Sequence, residues 1–205
     1  MPPKPKYTKE EVVKVAFDMT REKGFEAVTT REIGKRLGVS SSPIFTLFRN
    51  MEEVKQEVKK LAMKEYEQYI SDALNYMPAF KQFGIRMIEF ASREPKLFQL
   101  LYMQEREESG TFDTMLTDIG DSVDTCIEII KQDYNLDDTE AKILFSQAWL
   151  HAFSLCVLLA NKVCSFSDEE ISGILSMEFQ AELRFLKSGQ YKDLNIQVTE
   201  VAKGE

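Results

Sequence analysis

Residues 30–48 read TREIGKRLGVSSSPIFTLF, and the side chains there that can do chemistry are hydroxyls and cations. Thr30, Ser40, Ser41, Ser42 and Thr46 are small donors and acceptors, while Arg31, Lys35 and the following Arg49 carry positive charge. Small hydroxyls approach a duplex closely, donating to phosphates or meeting base edges without steric bulk. Pro43, in the first turn of a helix, sacrifices no hydrogen bond and offers an apolar surface, for example to a thymine methyl. Thr30, Arg31, Lys35 and Arg49 supply phosphate or guanine contacts. The implied chemistry is recognition, with no covalent step. The same residues also suit a plainer purpose, as helix caps and a solvated basic face of an ordinary bundle.

Catalytic chemistry finds little support elsewhere. His151 is the only histidine. It sits in a mostly apolar segment, a poor setting for a base that must activate Ser or Cys. With no second His or Cys four residues away, it makes no metal site either. The three cysteines, Cys126, Cys156 and Cys164, form no CxxC pair. They read as buried small apolar groups in a reducing compartment. No Glu-x-x-His pair exists for a di-iron bundle, and the nine glycines are scattered rather than gathered into a phosphate loop. The expectation is a protein that is not an enzyme and carries neither cofactor nor metal. The acidic runs at 105–108 and 137–138 read as solvated helix ends.

Charge is unevenly spread. Residues 1–60 hold 13 Lys+Arg against 9 Asp+Glu, whereas residues 61–205 hold 13 against 25. Positive charge therefore gathers around the hydroxyl-rich stretch, as expected when one end alone meets phosphate. The longest apolar run, around FSLCVLLA (153–160), is too short to span a bilayer, and MPPKPKYTKEE lacks the features of a signal peptide. A cytoplasmic protein without membrane association is expected.

The elements that must position these residues are helices. TKEE, TTRE, NMEE and SDEE each place a capping side chain (Thr8, Thr29, Asn50, Ser167) three residues before a Glu. That spacing lets two side chains satisfy helix-start amides reciprocally; Thr30 is an alternative cap for the second helix. A first helix over 9–23 buries Val13, Ala16, Phe17 and Thr20, and Gly24 gives it a left-handed cap. Short helices follow at 30–37, ended by Gly38, and at 41–48. Two helices this short, joined by a Gly-containing turn, have the dimensions of a helix-turn-helix. Neither is stable alone; they persist if Ile33, Leu37, Ile44 and Phe48 pack against Val13, Phe17, Val54 and Val58. Beyond them the spacing predicts helices at 51–74, 78–92, 95–106, 114–133, 138–163 and 168–187, then a polar tail. Pro78 and Pro95 fall in first turns. The chain reads as all-α, divided into a head (1–50), a helical domain (51–189) and the tail (190–205).

The stretch KGFEAVTTREIGKRLGVSSSPIFTLFRNMEEV resembles the DNA-binding domain of TetR-type transcriptional repressors. Gly24, Phe25, Thr29, Thr30, Ile33, Gly38, Val39, Ser40 and Phe48 stand where that family has its signature residues. The likeness is strongest over residues 9–60. It implies a TetR-like homodimer with two three-helix heads, its last two helices forming a four-helix bundle with their symmetry mates. It adds Thr29 and Phe45 to the candidate DNA-binding set of Thr30, Arg31, Lys35, Ser40, Ser41, Ser42, Pro43, Thr46 and Arg49. Phe45 stands where the family usually has a tyrosine, Met51 where a lysine is frequent, and Leu47 where a histidine is.

The family's middle helices commonly enclose a pocket for an inducer. In AWLHAFSLCVLLANK (148–162), Trp149, Phe153, Cys156 and Ala160 recur at helical spacing and read equally as core and dimer interface. Tyr102, Met103, Trp149, His151 and Phe153 are the candidate effector-pocket residues, since methionine and aromatics suit an adaptable site for a small hydrophobic ligand. The expected function is a regulator, a repressor released from a double-stranded, pseudo-palindromic operator by such an effector. The alternative is a helical dimeric sensor or adaptor with weak or lost operator binding.

Overall fold

The computed structural model describes residues 7–39, 44–76, 78–105, 109–117 and 122–194, and every regular element among them is helical. Helix α1 (Lys9–Lys23) opens with a reciprocal cap, Thr8 Oγ1 accepting from the Glu11 N–H at 3.2 Å and the Glu11 carboxylate from the Thr8 N–H at 2.8 Å. Gly24 closes it at φ +87° and ψ 159°, positive but outside the left-handed helical well that the sequence suggests. The chain needs this geometry to turn into the 3-10 turn Phe25–Ala27.

Helix α2 (Thr30–Leu37) is capped by Thr29 rather than Thr30 and ends at Gly38, here in the left-handed region (φ +69°, ψ 32°). Helix α3 is described over Ile44–Leu47, with residues 40–43 outside the described residues. Helix α4 (Met51–Ile70) stops short of residue 74; the chain tightens into a 3-10 turn at Ala73–Asn75. Helices α5 (Ala79–Arg93) and α6 (Pro95–Tyr102) follow. Pro78 is the N-cap of α5, just outside its first turn, and Pro95 opens α6.

Within the stretch expected as one helix at 114–133 the described residues form α7 (Phe112–Thr117) and α8 (Ser122–Tyr134), and residues 118–121 lie outside the described residues. Helix α9 (Asp138–Ala160) ends three residues early. Lys162 adopts φ +55°, and the Val163 and Lys162 N–H groups return to the Leu158 and Leu159 carbonyls. That bond pattern closes a helix around one left-handed residue. Helix α10 (Asp168–Lys187) carries the reciprocal Ser167–Glu170 cap. Part of the supposed tail is ordered into a 3-10 turn, Gln190–Leu194, which buries Tyr191. Residues 195–205 lie outside the described residues.

Two layers of burial follow. In the head, Val13 and Phe17 of α1, Ile33 of α2, Ile44 of α3, Phe48, and Val54 and Val58 of α4 are all buried in one cluster. Such packing is what lets a helix of eight residues exist. Helix α4 continues into the helical domain, where Ala62, Tyr66 and Ile70 are buried and the Tyr66 ring meets Phe90 edge-on at 5.3 Å.

At the centre of that domain α9 packs on α5, α8 and α10. Helix α9 is rich in apolar residues and buries Leu144, Phe145, Trp149, Ala152, Leu155 and Cys156, while Leu150 stands exposed. By length and composition it is apolar enough to cross a membrane, with a mean hydropathy of 1.8 over 18 residues. Core helices pass the same test, and α9 packs against α5, α8 and α10. Arg21 ties the two layers together, its guanidinium 2.7 Å from Glu65 on α4 and 2.9 Å from Glu94 between α5 and α6.

Candidate functional site

In the head, the sequence-identified residues divide by what holds them. Helix α2 turns Ile33 and Gly34 inward and leaves Arg31 and Lys35 exposed. At four residues apart these two cations share one face. Among the described residues neither has a carboxylate partner. Their neighbour Arg36 differs, since its Nη1 lies 3.0 Å from Glu22 Oε1 and its Nη2 bonds the other oxygen of the same carboxylate. Both groups respond, the Glu22 carboxyl shifting down and the Arg36 guanidinium up through that hydrogen bond.

Thr29 is exposed but engaged, accepting the Glu32 N–H at 3.2 Å, and Thr30 is half-buried. Thr46 and Arg49 are exposed at the end of α3. The Arg49 N–H donates to Glu53 at 2.7 Å, and Lys9 pairs with the same carboxylate at 3.0 Å. Those bonds, the Arg49 amide first, hold the Glu53 carboxyl below its usual range. Glu53 therefore reaches back one residue beyond Asn50, so the NMEE cap is only half reciprocal. Tyr7 fastens the far end of α2 by donating its hydroxyl to the Leu37 carbonyl. Ser40, Ser41, Ser42, Pro43 and the Phe45 side chain lie outside the described residues.

The candidate effector residues are only partly brought together. Trp149 stacks on Phe153 at 4.8 Å with 12° between the planes. Phe153 lies 6.3 Å from Tyr102, and Tyr102 5.8 Å from Tyr66. Burial drives the Tyr66 and Tyr102 phenols well above their usual range, so they are neutral donors at any physiological pH. Met103 and His151 stand apart from this aromatic chain. Met103 is exposed, its sulfur accepting from Asn161 Nδ2 at 3.6 Å, and His151 Nδ1 lies 3.5 Å from Glu178 on α10.

The enclosed space lies elsewhere. A cavity of about 110 Å³ sits between α5, α8, α9 and α10, walled by Phe80, Phe83, Met87, Trp149, Leu175 and Phe179. Of the five sequence-identified residues only Trp149 lines it. A broader, open groove of about 750 Å³ between α4 and the α6–α7 connection includes Tyr102. The sequence did carry one signal for the cavity, Gly84, a lone glycine in the middle of α5. Such a glycine weakens a helix and usually has a packing reason. A Cβ there would lie 3.5 Å from Leu175 and 3.9 Å from Ala152, beside the cavity Gly84 lines. Among the described residues no group of His, Cys, Asp and Glu could hold a metal ion. Cys126 and Cys156 are buried, and burial raises both thiols, Cys126 to about 12. Cys164 is exposed, against expectation, because it follows the end of α9.

Residues 12–58 match the family model described as bacterial regulatory proteins, tetR family. Among solved structures, a TetR family protein from Vibrio parahaemolyticus is similar in fold, with a TM-score of 0.57 over 84% of this chain and 97% of that one. The two are 14% identical, so the likeness speaks to the fold. No curated protein matches the sequence.

Proposed function

We propose that the chain is a TetR-type DNA-binding regulator, as the match of residues 12–58 to the tetR family model supports, and that it is a homodimeric repressor released from its operator by a small apolar effector. The observation that carries the reading is the exposed pair Arg31 and Lys35, without carboxylate partners among the described residues, on a helix whose other side is fixed in the head core. In a protein of net charge −8, two unneutralised cations one turn apart are suited to phosphate. With α2 held on the backbone, α3 and the segment before it would enter the major groove. Thr46 and the residues Ser40 to Pro43 would there meet base edges, and Arg49 a phosphate.

The dimer would form through α9 and α10. Helix α10 buries only Leu183 and Leu186, leaving Met177 72% exposed, and Leu150 of α9 is also exposed. Two heads related by the dimer axis would read half-sites about one helical turn, roughly 34 Å, apart. Helix α4 spans the head core and the helical domain, so a ligand that prefers one tilt of α4 changes head spacing. A full switch from 1:99 to 99:1 requires about 5.5 kcal/mol of preference between the two states.

The test is selection of bound fragments from a randomised duplex pool at two salt concentrations. The expected result is one enriched pseudo-palindrome whose affinity falls steeply with salt. Uniform weak binding without enrichment would overturn the repressor reading and favour a sensor or adaptor without operator recognition.

A further inference from the structure

The cavity between α5, α8, α9 and α10 has chemistry of its own. Its walls are aromatic and aliphatic, and Lys81 is the only side chain in them that is charged at neutral pH. Residues 61–205 contain 25 Asp+Glu, yet none lines it. Lys81 is half-buried beside the exposed mouth residues Pro78 and Gln180. Its Nζ donates to the Ser172 hydroxyl at 2.7 Å, and it has no carboxylate partner among the described residues.

One further feature favours an anionic oxygen here. Helix α5 begins at this mouth, and Pro78 gives it no side-chain cap, so its first-turn N–H groups add positive potential where Lys81 stands. The size bounds the occupant, because an apolar cavity of about 150 Å³ is known to hold one benzene ring. A cavity of about 110 Å³, open at one end, suits a single ring or a short branched chain with its polar group outside.

We propose that this cavity binds a compact apolar monocarboxylate, its ring or chain between Phe83, Trp149 and Phe179 and its carboxylate on Lys81 at the mouth. The carboxylate stays at the water boundary, which avoids the large penalty of burying a charge. Its oxygens replace the Ser172 hydroxyl as acceptors for Lys81 and form a charge-assisted hydrogen bond. This assignment rests on the reading of the helical domain as the effector-sensing half and names the class of effector.

Trp149 is the only tryptophan, so its fluorescence reports occupancy directly, with calorimetry as a second readout. The probes are 4-phenylbutyrate, 4-phenylbutanol and 4-phenylbutylamine, which share an apolar body and differ in charge. The acid is expected to bind at least tenfold more tightly than the alcohol, and the amine most weakly. In Lys81→Met the acid's advantage disappears while alcohol binding is kept. Gly84→Leu, which pushes a side chain into the cavity, blocks all three while the helical circular dichroism is retained. Equal affinity for acid and alcohol, an advantage that survives Lys81→Met, or no binding by either readout up to millimolar ligand would overturn the proposal. Operator binding is measured with and without ligand in parallel. Selective DNA binding with no carboxylate binding refutes this site alone, whereas carboxylate binding that leaves operator affinity unchanged refutes the effector reading and keeps the site.

Discussion

Arg31 and Lys35 are distinguished from Arg36 by the lack of a carboxylate partner among the described residues, and on the proposed docking that difference decides which of them meets phosphate. Replacing Arg31 or Lys35 by Ala is expected to weaken binding to every duplex alike. It should lower the slope of log affinity against log salt by about 0.9 for each phosphate that is no longer neutralised. Arg36→Ala should leave that slope unchanged and cost only the exposed bridge to Glu22; filter binding across a salt series separates the cases. Tyr7 offers a stability counterpart. Its hydroxyl holds the Leu37 carbonyl at the end of α2, so Tyr7→Phe should destabilise the protein by about 1 kcal/mol, read from a urea melt. The pattern of types and spacing in residues 29–49 was legible without coordinates, because hydroxyls and cations at the surface need no distant partner to be recognised. The pairing of Arg36 with Glu22 was not, since it joins two helices whose crossing no local spacing encodes.

Helices were legible from their ends more than from their faces. Thr8, Asn50 and Ser167 cap where the Glu three residues on predicts, because both partners lie in one turn. Asp137 and Glu140 form a further reciprocal cap, hidden in a run that also reads as a polar separator. Helix α10 carries a titration that no sequence pattern announces. Burial, and then the neighbouring Glu178 carboxyl, push Glu182 up to about 8 from its ordinary 4.5. His151 faces the same pair through Glu178. Between those two pH values the folded chain holds a proton that the unfolded chain has released. Stability should therefore fall as pH rises from about 4.5 to about 8 and level off above. Because the group is half-open to solvent, the effect should be about 1 kcal/mol rather than the full shift. Glu182→Gln should flatten that dependence in thermal melts taken across the window.

At the scale of the molecule, the all-α fold and the head were readable from the chain, and the cavity was not. Residues from four helices close it, and their meeting depends on crossing angles set by the whole core. Among its walls Trp149 is conspicuous by type, a lone tryptophan in an apolar helix. The proposed dimer face has a direct check. Met177→Glu would place a charge on the open side of α10, and sedimentation velocity should then show monomer, with operator affinity abolished as well. A persisting dimer would put the interface on another surface. The apolarity of α9 has a consequence for the moment of synthesis. A segment hydrophobic enough to cross a bilayer leaves the ribosome when α5 and α8 are already made and α10 is still to come. Prompt docking onto α5 would shorten the time for which that segment is open to other chains. Mutations that loosen the packing of α9 on α5 should therefore lower the yield of soluble protein well before they lower the stability of the molecules that do fold.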